Sequence, residues 1–197
     1  MNKAFNIVFD TIKNKGVGGG GYKTNLNGKN FELKTNNENI LLENGYKKTF
    51  LNKYNYYLEK KLEDKSIVFV VQSNFKIFMK NKYNIDLFRY PDEAYIIESV
   101  NGNKTVKIIE KKNQNTNGSV ETKLWSGPSL KREYELVLGD KFQVEYSFCL
   151  NTFLQSKVNS NTKKYSILKT ILAEHNISIL YGDEANYFED VNIWIQK

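Results

Sequence analysis

Two short apolar segments near the middle of the chain predict a β-hairpin. Residues 94–100 (Ala-Tyr-Ile-Ile-Glu-Ser-Val) and 105–109 (Thr-Val-Lys-Ile-Ile) are rich in aromatic and β-branched side chains, which are frequent in strands. Between them stands Asn101-Gly102, a dipeptide that favours a type I′ turn because both residues tolerate positive φ angles. We therefore predict that the two segments are antiparallel neighbours in a sheet.

The other apolar patterns alternate between strands and helices. We predict strands over 142–150 and 177–181, and helices over 74–83, 119–138, 162–174 and 184–195. Gly127-Pro128 should split the second helix, with a new helix beginning near Ser129. Residues 66–71 are apolar without a clear period and fit either a strand or the start of a helix. This order predicts an α/β fold, with a mixed central β-sheet flanked by helices.

The N-terminal segment contains an amphipathic stretch from Phe5 to Ile12 and a glycine-rich run over 16–21. A glycine-rich loop can cradle phosphates, but here Tyr22-Lys23-Thr24 replaces the Gly-Lys-Ser/Thr ending of a nucleotide-binding P-loop. A hinge, or a loop that contacts nucleic acid, is the better interpretation. We assign residues 1–65 to an N-terminal elaboration that could contact DNA or form a dimer, and 66–197 to the core.

Composition narrows the classes of protein. A chain of 197 residues with 40% hydrophobic content suits one domain with or without an elaboration, and no run of 18 apolar residues predicts a membrane span. Because the start lacks the apolar run of a signal peptide, we expect a cytoplasmic protein. Cys149, the single cysteine, should be buried in a strand, and His175, the single histidine, should end a helix. A single histidine excludes most His-rich zinc sites and histidine-based nucleases, so any catalytic metal must depend on carboxylates.

The hairpin brings three ionisable groups together. Asp92 enters its first strand, Glu110 leaves its second, and Lys112 shares a strand face with Glu110 because it lies two positions later. Two adjacent carboxylates repel unless a cation joins them, and Mg²⁺ prefers such oxygen ligands. Taken separately, Pro91-Asp92 could be a turn, and Glu110-Lys111-Lys112 could be a solvated strand end. Their order around one hairpin favours a metal site that hydrolyses phosphodiesters.

Three segments resemble a known family. Residues 89–94 (Arg-Tyr-Pro-Asp-Glu-Ala), 110–114 (Glu-Lys-Lys-Asn-Gln) and 118–124 (Gly-Ser-Val-Glu-Thr-Lys-Leu) are similar to the core of type II restriction endonucleases in the PD-(D/E)xK nuclease superfamily. The resemblance extends over about 66–181 through the order of elements, and over 89–124 through motifs. It implies a restriction-endonuclease-like core, a homodimer, and Mg²⁺-dependent cleavage of double-stranded DNA at a short palindromic sequence, with Mn²⁺ as a possible substitute.

The resemblance also implies roles for individual residues. Asp92 and Glu110 would bind the metal, and Lys112 would assist the attacking water. Gln114 would position that water or contact the DNA backbone, although a loop-entry role explains it equally well. Further candidates for DNA contact are Lys111, Asn113, Ser119, Lys123, Lys131 and Arg132. A net charge of +7 agrees with an anionic partner, but a lysine- and asparagine-rich composition also reflects an A·T-rich genome.

Several alternatives stay open at this point. An additional acidic ligand often comes from an earlier helix in this superfamily, and the options are Glu38, Glu43, Glu59 and Glu63. Glu93 should point to the strand face opposite Asp92, outside the metal site. The protein could instead be a structure-selective repair or recombination nuclease, or a noncatalytic nucleic-acid-binding protein. An RNA substrate also remains open.

Overall fold

A seven-stranded mixed β-sheet flanked by helices forms the centre of the protein, as a computed structural model of residues 22–116, 118 and 120–197 describes it. The strands are Lys47–Phe50 (β1), Tyr56–Lys61 (β2), Lys65–Val71 (β3), Glu93–Ser99 (β4), Lys104–Lys112 (β5), Gln143–Leu150 (β6) and Ile177–Tyr181 (β7). The helices are Tyr22–Lys34 (α1), Glu38–Glu43 (α2), Gln72–Tyr83 (α3), Val120–Trp125 (α4), Gly127–Leu138 (α5), Thr152–Val158 (α6), Lys163–Glu174 (α7) and Tyr187–Gln196 (α8), with a 3₁₀ turn at Gly139–Lys141. The α/β fold class predicted from the sequence is confirmed.

The strands lie side by side in chain order, β1 to β7. Strands β1 to β5 are antiparallel, whereas β5, β6 and β7 are parallel. Parallel neighbours need crossover connections, and the pairs α4–α5 and α6–α7 supply them. As a result the start of β4 and the ends of β5, β6 and β7 meet at one edge, which we call the carboxyl edge of the sheet.

Helices cover both faces of the sheet. One hydrophobic layer packs α3, α5, α6 and α7 against alternate strand residues such as Val106 and Ile108. The other layer packs α1, α2 and α8 against the intervening residues, including Ile109. Because side chains alternate along a strand, Glu110 continues the face of Ile108, whereas Lys111 continues the face of Ile109.

Most predicted elements are confirmed, and residues 66–71 belong to strand β3. The turn between β4 and β5 differs from the prediction. Gly102 has a φ of +88°, but Asn101 has no positive φ, so the turn is not type I′. The Gly102 N–H donates to the Ser99 carbonyl at 2.9 Å, which fits a type I turn ended by a left-handed glycine. The break in the helix after β5 also falls earlier than expected, because Gly127 already opens α5.

The described part of the N-terminal segment shares the sheet with the core. Strand β2 pairs along β3, with Leu58 opposite Phe69, and Phe31 of α1 is buried in the second layer. The sequence patterns did not reveal α1, α2, β1, β2 or α6. The stretch over 5–12 and the glycine-rich run over 16–21 lie outside the described residues. No helix within the described ranges has the length and apolar character needed to cross a membrane.

Candidate active site

The three predicted catalytic residues meet at the carboxyl edge of the sheet. Asp92 stands just before β4, and its Oδ2 accepts a hydrogen bond from the backbone N–H of Lys111 at 2.6 Å. The Lys112 Nζ lies 2.7 Å from Glu110 Oε2, and both side chains are largely buried, with 16% and 13% of their surfaces exposed. The hairpin register, Glu93 opposite Ile109, brings Asp92 beside Glu110. The structure thus brings Asp92, Glu110 and Lys112 together at one end of the hairpin.

Burial and a second carboxylate shape the electrostatics of Glu110. Desolvation by burial raises its pKa, the neighbouring Asp92 raises it further, and Lys112 partly offsets both effects. Asp92 and Glu110 stand one position beyond the paired residues Glu93 and Ile109 of the hairpin. Two acceptor groups held this closely, with one ammonium beside them, form a site where an added cation would be favourable.

A further carboxylate approaches from α1. Burial raises the pKa of Glu32, and Asp92 raises it further, while Lys111 and Lys112 lower it. Glu32, Gln72 and Asp92 share the lining of one cavity of about 360 Å³ at the carboxyl edge. Glu32 is thus an acidic residue that the sequence argument missed. The polar helix α1 carries no clear apolar face that could have revealed which of its residues points inward.

The four acidic residues considered from the sequence lie elsewhere. The Glu38 carboxylate accepts a hydrogen bond from the Tyr56 hydroxyl at 2.9 Å and pairs with Lys48 at 3.0 Å. Glu59 belongs to strand β2 and not to a helix. Glu43 ends α2, and Glu63 lies in the turn between β2 and β3. The sequence left the choice among these four residues open, and none of them lines the cavity that contains Asp92.

Among the described residues, no group of three or more histidine, cysteine, aspartate or glutamate side chains is arranged to hold a metal ion. The donor set at the carboxyl edge is the pair Asp92 and Glu110. Such a pair suits Mg²⁺, which commonly takes one or two carboxylates and completes its shell with water and phosphate oxygens. Burial and Asp92 raise the pKa of Glu110. A divalent cation bound here would lower that pKa, because it would stabilise the ionised carboxylate.

Behind this site a buried ion pair joins β5, β4 and α1. The Lys111 Nζ lies 2.6 Å from Glu93 Oε1, with only 3% and 2% of the two side chains exposed. The same ammonium donates to the carbonyls of Thr35 at 3.0 Å and Glu32 at 3.3 Å. Asn37 donates to Glu93 through its backbone N–H at 3.2 Å and its side-chain amide at 2.6 Å. We call these contacts the Lys111–Glu93 clamp.

The clamp changes the interpretation of two residues. Glu93 shares the sheet face of its partner Ile109, opposite to that of Glu110, as the strand alternation predicted, and it also lines the cavity that contains Asp92. Lys111 was a candidate for DNA contact, but its ammonium is buried and its hydrogen bonds go to Glu93 and α1. Its side chain consequently does not face the solvent where a nucleic acid would lie, and we leave it out of the DNA-contacting set.

The residues that follow Lys112 hold the loop at the carboxyl edge. The Gln114 Oε1 accepts a hydrogen bond from the backbone N–H of Glu121 at 2.8 Å, near the start of α4. Asn151 donates to the Gln114 carbonyl at 3.0 Å. Asn113 donates to the Asn27 carbonyl of α1 at 2.7 Å. The side chain of Gln114 is thus engaged in the loop, which agrees with the loop-entry interpretation.

The remaining DNA-contact candidates divide into two regions. Lys123 is exposed in α4, close to the loop that leaves β5. Ser119 lies outside the described residues. Lys131 and Arg132 line a separate cleft near the start of β6 that includes Gln143. Because the β5–β6 register places Gln143 five residues before the partner of Glu110, this cleft lies roughly 16 Å along the strand from the site.

Cys149 and His175 have the structural roles predicted for them. Cys149 is fully buried, and burial raises the pKa of its thiol to about 12, so it is not a reactive thiolate. His175 follows the last residue of α7, and its carbonyl accepts a hydrogen bond from Lys131 at 2.9 Å. Neither residue belongs to the candidate active site.

Comparison of the chain with protein-family models, with curated proteins and with solved structures gives no significant match in any of the three.

Proposed function

We propose that this protein is a Mg²⁺-dependent endonuclease that cuts double-stranded DNA at a short specific sequence, as a type II restriction endonuclease does. The observation that carries the proposal is the convergence of Asp92, Glu110 and Lys112 at one edge of the sheet. Glu32, which lines a cavity together with Asp92, adds negative charge on that side of the site. The proposal includes a homodimer, since symmetric cleavage of a palindromic site needs two active sites, and a cytoplasmic location.

Each residue has a chemical role in this proposal. The carboxylate oxygens of Asp92 and Glu110 would hold the metal ion. When bound, Mg²⁺ polarises the phosphodiester and increases the acidity of a coordinated water. The Lys112 ammonium, which now pairs with Glu110 at 2.7 Å, would turn to a phosphate oxygen and offset its growing negative charge. The Lys111 N–H keeps Asp92 in place throughout.

The test is cleavage of unmethylated phage DNA by purified protein, with and without Mg²⁺, followed by sequencing of the product ends. We expect discrete Mg²⁺-dependent ends, and a loss of at least about 100-fold in rate for Glu110→Ala and for Lys112→Ala. Lys104→Ala is the matched control, because Lys104 begins the same strand at its opposite end. It should cleave at the wild-type rate. Circular dichroism of every variant separates a lost site from a lost fold.

The outcomes also separate the alternative functions. Cleavage confined to branched or flapped DNA would indicate a structure-selective nuclease, and cleavage of RNA alone would indicate a ribonuclease. Retained DNA binding with no cleavage by the folded wild-type protein under varied salt and divalent metal would refute the proposal. It would leave a noncatalytic nucleic-acid-binding protein as the better interpretation.

A further inference from the structure

Gln72 has an unusual backbone conformation at the candidate site. Its φ is +44°, in the left-handed region that costs free energy for residues other than glycine. The other two described non-glycine residues with positive φ are Asn84 and Asn176, at +55° and +51°. Both follow the ends of helices, where a left-handed asparagine is ordinary. Gln72 instead opens α3 directly after β3, so helix termination does not explain it.

The side chain of Gln72 reaches across the carboxyl edge of the sheet. Helix α3 packs on one face of the sheet and α1 on the other, and the two helices approach each other at this edge. There the Gln72 Nε2 donates to Glu32 Oε2 at 3.3 Å. Gln72 and Glu32 line the cavity that also contains Asp92. The contact is therefore a link between the two helix layers, beside Asp92, one of the residues proposed to hold the metal ion.

We propose that Gln72 is a positioning residue that holds the Glu32 carboxylate beside Asp92. A strained conformation at a functional site is kept only where the surrounding structure enforces it, and such strain frequently serves the site. Glycine would satisfy the backbone at position 72 better, but it would lose the amide. The inference rests on the proposed function, because it gives the negative charge of Glu32 a part in attracting the cation that the pair Asp92 and Glu110 would hold.

The decisive variant is Gln72→Gly, since it relieves the backbone and removes the amide in one change. We expect its thermal midpoint to rise by about 2–4 °C. We also expect MnCl₂ affinity, measured by calorimetric titration, to fall about 10-fold, the effect typical of losing a supporting contact around a metal site. The matched control is Asn84→Gly at the other end of α3, which should leave MnCl₂ affinity unchanged. If Gln72 has a purely structural role, Gln72→Gly should change the thermal midpoint but leave the MnCl₂ affinity unchanged.

A second background tests whether Gln72 acts through Glu32. In protein that carries Glu32→Gln, adding Gln72→Gly should cause no further loss of MnCl₂ affinity. Unchanged affinity in the single Gln72→Gly variant, or an equal loss in both backgrounds, would overturn the inference while leaving the nuclease proposal intact. If the folded wild-type protein neither binds MnCl₂ nor cleaves DNA, both proposals fail together.

Discussion

The Lys111–Glu93 clamp should be the most sensitive polar contact near the site, and Lys111→Met tests it. Methionine preserves the length of the side chain but leaves the Glu93 carboxylate buried without its cation. Removing one partner of a buried ion pair costs about 3–5 kcal/mol. For a protein of this size, that loss lowers the thermal midpoint by about 6–20 °C.

The assay is urea unfolding at neutral pH, followed by far-ultraviolet circular dichroism. Lys34→Met is the matched control, because the Lys34 Nζ also lies 2.8 Å from a carboxylate, that of Asp183, but 57% of the lysine side chain is exposed. An exposed pair of this kind contributes about 0–1 kcal/mol. If Lys111→Met destabilises the protein no more than Lys34→Met, the clamp does not fasten α1 to the sheet and the reasoning is wrong.

A double variant examines the physical cause. Glu93→Leu combined with Lys111→Met removes both buried charges, so it should be less destabilising than the two single changes added together. Some loss will remain, because Asn37 donates to Glu93 through two groups and both would lose their acceptor. Strictly additive effects would show that the pair is not coupled, against the observed distance of 2.6 Å.

The remaining predictions concern α4, α5 and α1. The hydrogen bond from Lys164 lowers the pKa of Glu121 below 4.5, so Glu121 contributes stability that is present above pH 4.5 and lost as the pH falls through its lowered pKa. Urea midpoints of wild type and Glu121→Gln should therefore differ at pH 7 and converge in strong acid, and a gap that persists there would contradict the assignment. Gly127→Ala should destabilise by about 1–3 kcal/mol, because its Cβ would lie 2.8 Å from Phe148. A Cβ at position 28 in α1 would meet nothing within 4 Å, so Gly28→Ala should stabilise the protein by about 0.5–1 kcal/mol. If calorimetry shows the thermal midpoints of Gly127→Ala and Gly28→Ala changing in the same direction, the packing explanation is wrong.

The sequence by itself determined strands β4 to β7, the helices that follow β3, β5, α6 and β7, and the grouping of Asp92, Glu110 and Lys112. These features depend on local patterns: alternation along a strand, the caps and breaks of helices, and a turn that folds neighbouring segments onto each other. A hairpin fixes which residues are opposite through its loop length and register. The predicted turn type was wrong, yet the antiparallel pairing held because a turn at Asn101-Gly102 still connects the same two strands.

Only the tertiary structure decided the parts of the site that come from distant segments. Glu32 and Gln72 are 40 positions apart, and their meeting depends on how α1 and α3 cover opposite faces of one sheet. The sequence pattern indicated a solvent-facing Lys111, but in the structure α1 and Glu93 bury its ammonium. Lys131 and Arg132 lie in a separate cleft. Composition and spacing do not specify these arrangements, because each arises from the packing of amphipathic elements whose relative positions are set by the whole core.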